Sequence, residues 1–142
     1  MGTLRLVGKP LDDPSRPYII AEAASSHGGS LSRARELVEA AANAGADAIK
    51  FQTYSPEELA STTRAPDGSG RWLRDLLHGG LPRAWHMELQ TLASKYGLTF
   101  LSTPFSLEAL RFLVETCGVP AIKIASGDCT YLPLLHAAHA TG

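Results

Sequence analysis

Ala46-Asp47-Ala48-Ile49-Lys50-Phe51-Gln52-Thr53 reads as a short buried strand, built of small and apolar residues, entered through Asn43-Ala44-Gly45 and closed by a polar end. Side chains alternate along a strand, so Ile49 and Phe51 share one face while Ala48, Lys50 and Gln52 share the other. A lysine in the middle of a buried strand must find an anion or lose its charge, because an unpaired buried ammonium is costly. The alternative is an edge-strand lysine whose stem lies on apolar surface while its head reaches water.

A second copy favours the anion. Ala121-Ile122-Lys123-Ile124-Ala125-Ser126 again sets a lysine between isoleucine-type neighbours, after Cys117-Gly118-Val119-Pro120. The likeness extends upstream, with Ser30-Leu31 and Leu37-Val38-Glu39 in one unit and Ser106-Leu107 and Leu113-Val114-Glu115 in the other. The second unit is three residues shorter between helix and strand, close to one helical turn. Two helix–strand units, each delivering a lysine, indicate a repeated α/β architecture and one shared anionic ligand.

Working outward, residues 1–17 form a polar N-terminal lead-in with a turn at Asp12-Asp13-Pro14. Tyr18-Ile19-Ile20-Ala21-Glu22-Ala23 reads as a first buried strand, followed by a loop, Ala24 to Ser30, whose Gly28 and Gly29 let backbone N–H groups approach a ligand. Ser30 is placed to cap a helix with an apolar stripe of Leu31, Ala34, Leu37, Val38 and Ala41, which Gly45 closes. After Gln52 nearly thirty residues precede the next long helix, a length that marks a functional lid or wall. Within them Ser55-Pro56-Glu57-Glu58 is a capping box opening a short helix, and Thr62 to Arg71 is a polar excursion. Pro82 opens a helix with a buried stripe of Trp85, Leu89, Leu92 and Tyr96. Leu98 to Thr103 is the third strand, stopped by Pro104; Ser106 to Thr116 is a helix, Ala121 to Ser126 the fourth strand, and a last helix begins near Leu132.

The resulting order, β-α-β-(insert)-α-β-α-β-α, fits an open doubly wound sheet and a (β/α)8 barrel equally. A whole barrel takes ~250 residues, so four units are about half of one. With 142 residues, the chain is expected to be a truncated half-barrel.

Bulk properties exclude some partners. A formal charge of -1 without a basic cluster argues against nucleic acid and acidic membrane surfaces. No apolar run approaches a membrane span, and the lead-in lacks the apolar core of a signal peptide. Cys117 and Cys129 form no CxxC pair, which points to a reducing compartment and a cytoplasmic location.

The polar residues concentrate at one end of the expected sheet. Glu22, Lys50, Gln52, Thr103, Lys123 and Ser126 fall near the C-terminal ends of strands, while His27, Gly28 and Asp128 fall in the loops that leave them. In either parallel architecture that end carries the active site. Each has an innocent role open to it: an ion-pair partner for Glu22, a cap for Thr103 or Asp128, a solvated loop position for His27.

Ile20-Ala21-Glu22 with His27, Gly45 to Thr53, Phe100-Leu101-Ser102-Thr103-Pro104-Phe105, and Lys123-Ile124-Ala125-Ser126-Gly127-Asp128 together resemble the sialic acid synthase family. Leu81-Pro82 with Trp85-His86 is also similar, and the likeness runs from about Tyr18 to Gly142. The resemblance implies a (β/α)8 barrel, here its first four or so βα units over residues 18–142, usually followed by a small antifreeze-like domain that reaches into a partner subunit's site. It implies an enzyme that condenses phosphoenolpyruvate with an N-acylated amino sugar, an N-acetylated aldose of the N-acetylmannosamine type, to a nonulosonic acid. Lys50, Lys123, Gln52, Thr103 and Ser126 would hold the phosphate and carboxylate of phosphoenolpyruvate. His27 joins these substrate-binding positions, and Glu22 and Asp128 are the candidate catalytic acids. A divalent metal, manganese or magnesium, is expected to polarise the aldehyde, and a homodimer is the expected assembly.

Three departures accompany the likeness. Ser26-His27-Gly28-Gly29 stands where the family has Asn-His-Asn-Gly or Asn-His-Glu-Gly, and Asp128 stands where it generally has Glu, one methylene longer. The family's metal-binding histidines belong to the second half of its barrel, and His27, His78, His86, His136 and His139 show no ligand spacing, so no metal ligand is assigned here. The chain alone is therefore expected to be inactive. Two other readings stand beside the synthase: a Schiff-base aldolase using a desolvated strand lysine, and a non-catalytic half-barrel. A half-barrel would leave the Tyr18 and Ala121 strands with open edges, which favours self-association.

Overall fold

The computed structural model describes residues 5–13, 15–55, 58 and 79–142. A hairpin of β1 (Arg5–Leu6) and β2 (Lys9–Pro10) precedes a parallel sheet of β3 (Ile20–Ala24), β4 (Ala48–Thr53) and β5 (Thr99–Pro104), ordered β3-β4-β5 with β4 in the middle. The helices are α1 (Leu31–Asn43), α2 (Arg83–Lys95), α3 (Leu107–Arg111) and α4 (Leu132–His139). The α/β class and the central place of the lysine strand are as the sequence indicates. The expected turn at Pro14, the helix after Ser55, the Thr62 to Arg71 excursion and His78 lie outside the described residues.

Local signals act as read. Ser30 Oγ accepts from Arg33 N, and Ser106 Oγ from Ala109 N, so each serine satisfies a first-turn N–H that the helix leaves free. At the other end of α1, Gly45 takes φ +77°, and the bonds Ala46 N to Ala41 O and Gly45 N to Ala42 O close the helix in a left-handed cap. The chain then enters β4 directly.

Helices α1 and α2 cover one face of the sheet. Ile49, Phe51 and Phe100 from that face pack with Ala34, Val38 and Ala41 of α1 and Leu89 and Ala93 of α2. Burying such side chains contributes about 1.5–3 kcal/mol each for the larger ones, which makes this layer the main source of stability. Lys50 and Gln52 project from the opposite face by the strand's alternation.

Four expectations need correction. Ala121 to Ser126 pairs with no strand among the described residues: its residues are exposed or half-buried, and Ser126–Asp128 is a single 3-10 turn. Without a ladder partner the alternating Ile-Lys-Ile pattern has no sheet face to fill. The first strand is not buried: among the described residues β3 has one neighbour, and Ile20 and Glu22, with Ile19 just before it, are exposed. The open edges among the described residues are therefore those of β3 and β5. In α2 it is His86, not Tyr96, that is buried with Leu89 and Ala93; Tyr96 lies past the last turn and is exposed. The helix after Ser106 is α-helical only to Arg111, and Phe112–Thr116 widens into a π turn, with Cys117 N bonded to Phe112 O.

The hairpin is tied to the N-terminal end of the sheet. Lys9 Nζ lies 2.7 Å from Asp47 Oδ1, and Asp47 Oδ2 accepts the Ile19 N–H at 2.9 Å. These bonds hold the Asp47 carboxyl below its usual range, the Lys9 hydrogen bond foremost. Tyr18 adds a 2.8 Å bond to Thr99 Oγ1.

Candidate active site

The chemistry gathers at the C-terminal rim of the sheet. Glu22 and Lys50 are register partners on β3 and β4, so both side chains rise from the same face. The Lys50 ammonium is ion-paired with Glu22 Oε2 and lies 3.4 Å from Thr103 Oγ1 on β5. Thr103 is the partner of Gln52, two positions beyond Lys50, so the lysine stem leans toward the rim. Lys50 and Thr103 are buried, whereas the Glu22 side chain is 47% exposed.

A bulge sets the outer wall. Glu22 pairs with Lys50 and Ala24 with Phe51, so Ala23 is an extra residue at the end of β3. Ala24 takes φ +44°, and its N–H donates to Glu22 Oε1 at 3.1 Å, which fixes the carboxylate at the rim. The turn brings Ser25 Oγ within 3.2 Å of Gln52 Oε1. Ser25 is a residue that sequence reading missed; the only signal for it is its place one residue beyond a strand end.

Gly79 and Gly80 press against the same rim. A Cβ on Gly79 would collide with the Tyr54 hydroxyl and one on Gly80 with the Tyr54 carbonyl oxygen. Leu81 N donates to Gln52 O at 2.7 Å, extending the wall from the end of β4. Glu58 Oε2 accepts from Ser55 N at 2.6 Å, the reciprocal half of the capping box, and its Oε1 accepts from Ser106 Oγ at 2.7 Å.

His27 is not brought to Lys50. It is fully buried on the helix-covered side, its ring centroid 6.3 Å from that of Phe51 and 6.0 Å from that of Trp85. Its Nδ1 accepts from Gly29 N, and Nε2 has no hydrogen-bond partner among the described residues. Burial pushes its pKa below the usual histidine range, opposed more weakly by the Gly79 backbone. His86 lies on the same side, within the unit Ser102–Thr53–His86, and burial lowers its pKa to about 4.

Lys123, Ser126 and Asp128 form no contact with the Lys50 cluster among the described residues. Lys123 and Ser126 are exposed, and Asp128 is half-buried, its Oδ2 without a hydrogen-bond partner among the described residues. Of the two lysines expected to share an anion, Lys50 is the one held at this rim, and Lys123 is exposed on the segment that follows. No three His, Cys, Asp or Glu side chains among the described residues converge to hold a metal. A groove of about 850 Å³ opens at the other end of the sheet, beside Val7, Lys9, Lys95, Gly97 and Thr99, away from Lys50. No described helix is long and apolar enough to cross a membrane.

The rim thus presents a buried cation, a half-exposed carboxylate, a hydroxyl and an amide, a set suited to holding an anion beside an acid–base group.

Residues 37–142 match the NeuB family. Among curated proteins the chain is 37% identical over 147 residues to the N,N'-diacetyllegionaminic acid synthase of Legionella pneumophila, covering 95% of this chain and 40% of that protein. It is 37% identical over 117 residues to a pseudaminic acid synthase of Campylobacter jejuni, covering 77% of this chain and 34% of the relative. Among solved structures, the N-acetylneuraminic acid synthetase of Leptospira borgpetersenii, in complex with citrate, aligns with a TM-score of 0.74 at 35% identity, over 87% of this chain and 41% of that one. The spore coat polysaccharide biosynthesis protein spsE of Bacillus subtilis aligns with a TM-score of 0.75 at 31% identity, over 96% of this chain and 37% of that one. The chain spans 34–41% of the length of these relatives. The fold is accordingly of the (β/α)8 barrel type, present here as its opening β/α units.

Proposed function

The chain belongs to the NeuB family, and from that premise we propose that it supplies the phosphoenolpyruvate-binding rim of a nonulosonic acid synthase. The observation that carries the reading is the buried Lys50 ammonium at the C-terminal rim, flanked by Thr103 and Gln52. Lys50 is the primary partner of the substrate's phosphate or carboxylate, Thr103 donates its hydroxyl, and Gln52 adds an amide from the same face. Lys123, Ser126 and Asp128 join from the neighbouring segment, in keeping with the family resemblance.

In the proposed reaction C3 of the enol bonds to the aldehyde carbon of an N-acylated amino sugar, whose oxygen takes a proton. Water adds at C2, and inorganic phosphate leaves with its bridging oxygen as the C2–O bond breaks. Glu22, at the rim and half in solvent, is placed to hold or deliver the proton. Among the described residues no group of His, Cys, Asp or Glu offers a ligand set for the expected divalent metal. His27, buried behind the sheet and bonded to Gly29 N, is assigned in this reading to support of the loop between β3 and α1.

Engagement of the Lys50 ammonium by Glu22 and Thr103 favours anion binding over the bare amine that a Schiff-base aldolase needs. Titration of the chain with phosphoenolpyruvate is the test. Lys50→Ala should weaken binding at least 30-fold, the loss of one charge-assisted contact of about 2 kcal/mol. Equal binding by wild type and variant, or covalent trapping of pyruvate on Lys50 by borohydride, would overturn the reading.

A further inference from the structure

We propose that Glu22 is a resident stand-in for the substrate anion: it occupies the Lys50 ammonium at rest and is displaced when the anion binds. The inference rests on the anion-binding reading of Lys50 and adds a competition to it. Three observations carry it. Glu22 and Lys50 are directly paired across β3 and β4, so their heads meet without any backbone change. The pair is asymmetric: Lys50 is buried with Thr103 as its one further partner among the described residues, whereas the Glu22 side chain is 47% exposed. The carboxylate's second oxygen is held by the Ala24 N–H, on the residue with the left-handed backbone after the bulge.

A buried ammonium facing an empty anion site would be costly, and a local carboxylate satisfies it until the ligand arrives. Two anions cannot both take the position nearest Nζ, because like charges in contact repel. The incoming phosphate or carboxylate therefore takes Lys50 and Thr103, and Glu22, already half hydrated, gives up its ion pair while the Ala24 N–H keeps its other oxygen at the rim. The freed carboxylate then stands beside the bound anion. The same event that fills the anion site releases an acid–base group at the rim.

Calorimetric titration of the chain with phosphoenolpyruvate and, separately, inorganic phosphate tests this on wild type, Glu22→Gln, Glu22→Asp and Lys50→Ala. Removing or shortening the competitor should tighten both ligands, for Glu22→Gln by roughly tenfold. Glu22→Asp, which keeps the charge but withdraws it from Nζ, should tighten them less. Thermal unfolding of each variant confirms that the site is folded. Unchanged or weaker binding by folded Glu22→Gln, with Lys50→Ala still weakened, overturns the stand-in and leaves the anion site intact. Failure of Lys50→Ala to weaken binding, or no binding by wild type, overturns the anion site itself.

Discussion

His86 Nε2 lies 2.7 Å from Thr53 Oγ1, and that same oxygen lies 2.7 Å from Ser102 Oγ. Nδ1 faces the Pro82 carbonyl, which can only accept, so Nδ1 carries the proton. Nε2 must then accept from the Thr53 hydroxyl, whose oxygen accepts in turn from Ser102. The chain of bonds joins α2, β4 and β5 with every donor assigned, and it requires a neutral imidazole.

That requirement makes stability pH-dependent. Burial lowers the His86 pKa from 6.5 to about 4. Between those values the unfolded chain binds a proton that the folded chain does not, so stability falls as pH drops through the window. The loss should approach about 3 kcal/mol near pH 4, with His27 adding in the same direction. Denaturant unfolding at pH 7 and pH 4.5 should show it, and His86→Gln, which cannot titrate, should flatten most of the difference.

Asp47 gives a second acid-sensitive tie. Its carboxyl is held below the usual range, so its stabilisation is present above that range and lost as pH falls beneath it. Asp47→Asn keeps the size but weakens the bonds to Lys9 and to the Ile19 N–H. A loss of about 1–3 kcal/mol is expected in urea unfolding at pH 7. Lys9→Met, which spares the Ile19 bond, should cost less.

Gly80 admits no side chain. A methyl group there meets the Tyr54 carbonyl oxygen, a backbone atom that cannot rotate away. Gly80→Ala should destabilise by about 1–3 kcal/mol through forced backbone movement. It should also weaken phosphoenolpyruvate binding, because the Leu81 to Gln52 bond lies one residue on. Unfolding and titration of the same variant report the two effects.

Val7 is poorly suited to its turn. Leu6 pairs with Lys9, so Val7-Gly8 is a two-residue hairpin loop, and both have positive φ, 48° and 78°. Such turns favour asparagine followed by glycine, and a β-branched residue is strained there. Val7 is exposed and its removal leaves no hole. Val7→Asn should stabilise by about 1 kcal/mol, read as a raised unfolding midpoint.

What could be read from the sequence was what local rules determine. Lys50 flanked by apolar residues, the Ser30 and Ser106 caps and the Gly45 stop each depend on a few neighbours, and each appears as read. Ala121 to Ser126 did not form the expected strand, because pairing depends on a distant edge that no local pattern supplies. His27 shows the same limit: its polar glycine loop suggested a rim position, and the bulge at Ala23 with the turn at Ala24 carried it behind the sheet. Ser25, His86 and Asp47 owe their importance to partners 27, 33 and 38 positions away, respectively. Composition is silent on such pairs.

The π turn at Phe112–Thr116 holds one more residue than an α-helical turn would need to cover the same rise. The polypeptide thus carries a spare link between the fixed Phe112 ring, which packs against His86 and under Arg83, and the buried Cys117. Glu115 and Thr116 are both exposed within it. Deleting either would let the turn relax into α-helical winding without drawing on the strands. This is a point where chain length can change while the rim stays in place.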